Sequence, residues 1–168
     1  KLVSEMEGYI SEAETKQEDL IRFGYENSED MFDSHSYNKG GVVLHMLRQV
    51  VGDDAFFKAL NDYLRLHAFQ SVEVHDLRLA FEKTSGQDLN WFFNQWYLDK
   101  GHPELFIDVD YSQPENILVS IIQAQNLEKA PLYQLPIEVS WYEKDIRKSK
   151  TLFVTQAFEQ FALENGSD

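Results

Sequence analysis

The chain has 168 residues with a formal charge of -14, and 43% of them are hydrophobic and 14% aromatic. That composition excludes disorder and allows one domain with a sizeable core or two small ones. The negative charge, with no Lys/Arg cluster to interrupt it, argues against a nucleic-acid partner, and the absence of cysteine removes disulfides, Cys-ligated zinc and a thiol nucleophile. No apolar run approaches the ~18 residues of a membrane span, and the start, Lys1-Leu2-Val3-Ser4-Glu5-Met6, lacks the apolar core of a signal peptide. Compartment stays open. The chain does not begin with Met and stops at Glu164-Asn165-Gly166-Ser167-Asp168, and both ends are treated as those of an excised or processed segment.

From Leu2 to about Lys16 the apolar residues Leu2, Met6, Tyr9, Ile10 and Ala13 recur at three- and four-residue steps, which predicts an amphipathic helix. Residues 24–36 carry turn formers without periodicity and read as a loop delivering the chain to Tyr37. A helix from Tyr37 to Val51 follows, with Val43, Met46, Leu47, Val50 and Val51 on one stripe and Gly52 at its C-terminus. Asp53 or Asp54 caps the next helix, with Phe56, Leu60, Tyr63, Leu64 and His67 on its stripe, and the two helices are expected to form a hairpin. A third helix spans about Val74 to Thr84 and stops at Ser85-Gly86. A fourth starts at Asp88 and gives Leu89, Phe92, Phe93 and Trp96 to the core, and Gly101-His102-Pro103 ends the helical run.

After Pro103 the period changes from 3.6 to 2. Leu105, Ile107, Val109 and Tyr111 alternate with polar or outward residues as a half-buried strand does. Gln113-Pro114-Glu115-Asn116 reads as a turn, and further strands are predicted at Ile117 to Gln123, Leu135 to Tyr142 and Thr151 to Val154, a spacing typical of a β-sandwich. The fold class is therefore α+β by segregation. Residues 1–103 form a helical part and 104–168 a small, incomplete β-sandwich, to which more strands are expected to belong.

The histidines His35, His45, His67, His75 and His102 include no His-Glu-x-x-His and no pair three to five apart, so no sequence-local zinc motif exists, and separate surface or satisfied histidines account for them. There is no Gly-x-Ser-x-Gly elbow and no phosphate-cradling loop. The carboxylate pairs Asp53-Asp54 and Glu29-Asp30 suit capping and solvation better than acid-base chemistry. Tyr37, by pattern alone, is a tyrosine that precedes a helix, with Gly40 and Gly41 allowing close backbone approach.

The ordered set Ser36-Tyr37-Asn38-Lys39-Gly40-Gly41, Leu47-Arg48, Gly52-Asp53-Asp54-Ala55-Phe56, Tyr63-Leu64, Asp76-Leu77, Ser85-Gly86-Gln87-Asp88-Leu89, Trp96 and Gly101-His102-Pro103 resembles the aminopeptidase N family of zinc metallopeptidases. The resemblance covers about residues 30 to 111, specific as a series though weak motif by motif. It implies a thermolysin-like (gluzincin) catalytic domain, of which residues 1–103 are the last helices, followed by the family's β-sandwich domain at 104–168. It also implies a zinc cofactor held by a His-Glu-x-x-His helix and a more distant glutamate. That motif and the Gly-x-Met-Glu-Asn segment that recognises the substrate's amino end are both absent here and expected upstream of Lys1, so the chain itself is expected to hold no metal. One functional residue carries over. Tyr37 matches the tyrosine of the family's Tyr-x-Lys-Gly, whose phenol supports the transition state by donating to the oxygen on which charge gathers. A phenol suits the task because it keeps its proton at neutral pH.

Lys39, Arg48 and His45 are assigned no catalytic role, since surface pairing or packing accounts for each. The partners implied are peptides with a free N-terminus and the remainder of the catalytic domain. The parent is thus read as a zinc-dependent aminopeptidase, and the isolated chain is expected to be inactive. The competing readings are a non-catalytic helical and β-sandwich protein-interaction module, an epoxide-opening enzyme of the same fold, and a metal site assembled from distant histidines.

Overall fold

A computed structural model describes residues 1–113 and 115–164. The turn expected at Gln113-Pro114-Glu115-Asn116 includes Pro114, which lies outside the described residues, as does the tail after Glu164. The chain divides into two compact units, Lys1–Gly101 and His102–Asp168. The first is helical and the second is built of antiparallel strands, so the fold is α+β by segregation.

In the helical unit, α1 spans Leu2–Ala13, α2 Gly40–Val51, α3 Asp53–Leu66, α4 Val74–Ser85 and α5 Asn90–Tyr97. The segment expected to be loop contains a 3-10 turn at Ser28–Met31, and a five-residue π-turn at His35–Lys39 takes in its last two residues and the first three of the helix expected from Tyr37, running directly into α2. Part of the stripes found by periodicity supplies the core: Tyr9, Ala13, Val43, Leu47, Val51, Phe56, Phe81, Leu89, Phe92, Phe93 and Trp96 are buried, whereas Leu2, Met6, Ile10 and Leu64 are exposed. The expected α2–α3 hairpin does not form as the main helix pair. Gly52 alone connects the two helices, at φ +82° and ψ 158°, and one residue is too short to reverse the chain onto itself. Instead α3 packs most broadly on α4, with the Phe56 and Phe81 rings 5.3 Å apart. Asp53 is not a hydrogen-bonding cap. It lies in the first turn of α3 and accepts from the Arg48 guanidinium at 2.8 and 2.6 Å. The end of α4 is as expected, with Gly86 left-handed at φ +72°.

In the second unit, β1 (Leu105–Gln113), β2 (Asn116–Gln123) and β5 (Phe158–Glu164) form a sheet in the order β1-β2-β5, and β3 (Leu135–Glu143) pairs with β4 (Ile146–Val154). Opposite residues share a face, as in Ile107↔Ile121 and Val119↔Phe161. Ile117, Val119 and Ile121 of β2, Leu135 of β3, Leu152 and Val154 of β4, Leu163 of β5 and the intervening Tyr133 form the core. A buried amide pair stitches the β2–β3 connection to β2: Gln123 Nε2 donates to the Tyr133 carbonyl at 2.8 Å and Gln123 Oε1 accepts from the Tyr133 N–H at 2.9 Å. The strand expected to be half-buried, β1, is exposed along nearly all its length, with Ile107 53% and Tyr111 70% exposed. It is an edge strand standing outside that core, so alternation reports which face is apolar without ensuring that the face is covered.

Candidate active site

The π-turn carrying Tyr37 is built from a local register change. Within it the Tyr37 N–H donates to the Asp33 carbonyl at 3.1 Å and the Asn38 N–H to the Ser34 carbonyl at 3.0 Å. The Lys39 N–H then also reaches the Ser34 carbonyl, at 2.9 Å, a five-residue step that widens the coil. Such widened turns occur mostly as single turns and are concentrated at functional sites.

Helix α1 pins this turn at successive positions of one face. At Glu5 the backbone carbonyl accepts from Asn38 Nδ2 at 3.1 Å. One turn on, Gly8 leaves room for the Asn38 amide: a Cβ there would stand 2.7 Å from Asn38 Nδ2. Next, the Tyr9 ring receives the edge of the His35 ring, centroids 5.1 Å apart at 83°, and the Lys39 ammonium at 5.6 Å. The Tyr9 hydroxyl donates to the Gly101 carbonyl at 3.0 Å, and burial pushes its phenol up to about 12. Glu12 completes the face, its Oε2 accepting from the His35 backbone N–H at 3.1 Å and lying 2.8 Å from His35 Nδ1.

Just ahead of the turn Asp33 is a second anchor. Its carboxylate lies 2.5 Å from Lys16 Nζ and 2.7 Å from Arg22 Nη2 and accepts from the Ser36 N–H at 2.8 Å. Burial would raise its pKa, but the hydrogen bonds from Lys16, the Ser36 backbone and Arg22 outweigh that and hold it well below the usual carboxylate range. Lys16 is free to take part because α1 ends at Ala13, earlier than its periodicity suggests.

The side chains of the turn separate sharply. His35 and Lys39, four apart, point inward and are 0% and 3% exposed, whereas Tyr37 between them is 62% exposed and lies beside Phe32, ring centroids 5.9 Å apart. The phenol is thus available to a ligand while its backbone is held from below. Lys39, to which the sequence assigned no role beyond pairing or packing, is a buried cation. Arg48 fits surface pairing, bonded to Asp53 with its guanidinium 5.1 Å from the Phe57 ring centre.

Glu12, Asp33 and His35 bring potential ligand atoms within 4.8 Å of one another, a grouping that spans 23 residues and that a search for locally spaced histidines does not find. These residues do not fit a metal centre. His35 Nδ1 is engaged with Glu12, and Asp33 is already neutralised by Lys16 and Arg22, two cations that an incoming metal would have to displace.

The model of the peptidase family M1 domain matches residues 5–96, more than half the chain and all the elements around Tyr37. Over 139 residues the chain is 29% identical to an aminopeptidase N of Lactococcus lactis subsp. lactis, covering 80% of this chain and 16% of that protein. It is 40% identical over 83 residues to an aminopeptidase N of Streptomyces lividans, covering 47% of this chain and 10% of the relative. Among solved structures, Legionella pneumophila aminopeptidase A in complex with aspartic acid superposes with a TM-score of 0.72 at 19% identity, covering 88% of this chain and 17% of the other, a likeness of fold. The chain thus spans about a sixth of the length of the first of these relatives. With more than half of its residues matched by the family's model, the chain belongs to peptidase family M1.

Proposed function

We propose that this chain is part of a zinc-dependent aminopeptidase that hydrolyses the N-terminal peptide bond of peptides, and that it contributes the hydrogen-bond donor Tyr37 but not the zinc site. Residues 1–103 are then the last helices of the catalytic domain and 104–168 part of the β-sandwich that follows. The observation that carries the reading is the exposure of Tyr37 on a turn whose two flanking inward side chains are buried, within the segment matched by the family.

Zinc, held by residues outside this chain, supplies the Lewis-acid chemistry. Within the chain the work is positional. As the scissile carbonyl becomes tetrahedral its oxygen gains negative charge, and a phenol O–H within reach of that oxygen would stabilise it. A neutral phenol does so without competing for the proton of the attacking nucleophile. The π-turn and α1 hold the backbone of Tyr37, so the donor does not have to be ordered during the reaction. The substrate class follows the relatives named aminopeptidase N, and the isolated chain is expected to be inactive. Tyr37→Phe in the complete enzyme tests the assignment through kcat measured alongside zinc content.

A further inference from the structure

Lys39 is the least expected residue of the site. Long charged side chains are seldom fully buried, and when they are, the charge is ordinarily paired and hydrogen-bonded. The Lys39 side chain is 3% exposed, and its Nζ has no hydrogen-bond acceptor among the described residues. Its surroundings are the π face of Tyr9 from α1, the attracting carboxylates of Asp19 after α1 and Asp99 after α5, and the repelling guanidinium of Arg22. Desolvation dominates. It brings the Lys39 pKa from 10.5 down to about 8 against the pull of Asp19 and Asp99. A methionine would fill similar space without that penalty, so stability does not account for a cation here.

Its place in the turn indicates what does. Lys39 supplies the N–H of one of the five-residue hydrogen bonds of the π-turn, to the Ser34 carbonyl, and the Gly40 N–H makes the next, to the His35 carbonyl. Together with His35 it faces the ring of Tyr9, and Tyr37 lies midway between these two anchors. We propose that the Lys39 ammonium is a positioning group for Tyr37: attracted by Asp19 and Asp99 and seated over the Tyr9 ring, it holds the π-turn in the form that presents the phenol. This inference rests on the assignment of Tyr37 as the hydrogen-bond donor of the reaction. When Lys39 loses its proton the attraction to both carboxylates disappears and the hold on the turn weakens. The cation thus ties the alkaline side of catalysis to a residue that does not touch substrate.

The test is made in the complete, zinc-loaded enzyme with wild type, Lys39→Met and Tyr37→Phe measured side by side for kcat and KM against pH, and for thermal unfolding. Lys39→Met is expected to lower kcat by the order of 10- to 100-fold, the scale of a small misplacement of a reacting group, with KM within about twofold. Its unfolding temperature is expected to be equal or higher, and the fall of kcat above about pH 8 expected for wild type should be absent. A Lys39→Met enzyme with wild-type kcat and an unchanged alkaline limb overturns the proposal. So does a loss of kcat that simply follows a loss of thermal stability, since that marks a structural lysine. If Tyr37→Phe is impaired while Lys39→Met is normal, the positioning role fails and the assignment of Tyr37 stands. If Tyr37→Phe is itself normal, both fall.

Discussion

The Lys39 ammonium lies 5.6 Å from the centre of the Tyr9 ring, a buried cation resting on a buried aromatic face. Tyr9 is in turn fixed by its hydroxyl to the Gly101 carbonyl, 92 residues away in sequence. Through this pair the end of the turn carrying Tyr37 is tied both to α1 and to the last residue of the helical unit.

The first consequence is a pH dependence of stability with a definite sign. The Lys39 pKa is near 8 in the folded chain and near 10.5 when solvated, so between those values the unfolded state binds more protons. Stability must then rise with pH across that window. The phenols of Tyr9 and Tyr97, pushed up by burial, act in the opposite direction, but only above their solvated value of 10. Between pH 8 and 10 denaturant unfolding of the chain should therefore show wild type gaining on Lys39→Met, by an amount approaching about 3 kcal/mol for the whole shift. Parallel curves for the two proteins would contradict the assignment of this titration to Lys39.

Gly8 tests how closely α1 and the π-turn fit. An added Cβ would meet Asn38 Nδ2 at 2.7 Å and push it from the Glu5 carbonyl. The loss of a hydrogen bond worth about 1 kcal/mol is offset by about the same gain in helix propensity. Gly8→Ala should thus leave stability within about 1 kcal/mol of wild type while lowering kcat of the complete enzyme several-fold by moving the turn. Unaltered kcat would show that Asn38 yields without carrying Tyr37 with it.

Glu12 has the opposite profile, being chiefly structural. Its Oε2 serves both the backbone N–H and Nδ1 of a fully buried histidine, so Glu12→Ala strands polar groups in the interior and should destabilise the chain by about 1–3 kcal/mol. Glu12→Gln keeps an acceptor oxygen and should lose distinctly less. Equal losses in chemical denaturation would remove Glu12 from its place as the acceptor for His35.

The isolated chain should not bind zinc stoichiometrically. Glu12, Asp33 and His35 are close enough to be ligands but are committed to one another and to Lys16 and Arg22. Metal analysis after incubation with zinc and gel filtration should give well under one ion per chain. One tightly held ion, lost in Glu12→Ala, would reverse the conclusion that these residues are structural.

Helical periodicity located α2 and its apolar stripe to within a few residues because Val43, Leu47 and Val51 repeat on one face of a straight helix and all three are buried. It could not reveal the π-turn, since a widening confined to five residues leaves no mark on so short a run. The strand β5 was missed because Phe158, Phe161 and Leu163 break strict alternation, and the start of β4 was missed because its turn is Lys144-Asp145. Both turn residues have positive φ, which Asn-Gly would have signalled and Lys-Asp does not. Of the residues at the candidate site the sequence singles out only Tyr37, through an ordered set of motifs. Lys39, His35 and Glu12 are not singled out, because their burial depends on α1 folding back over the turn, a tertiary fact that spacing cannot carry.

The central claim is the role of the Tyr37 hydroxyl, and the most direct measurement is kcat of Tyr37→Phe in the complete enzyme at neutral pH. The substitution removes one oxygen from an exposed ring, so folding and zinc content should stay at wild-type values. Removal of one hydrogen-bond donor to the transition-state oxygen should lower kcat by about 10²- to 10³-fold. A kcat within a few-fold of wild type, with zinc content unchanged, would contradict it.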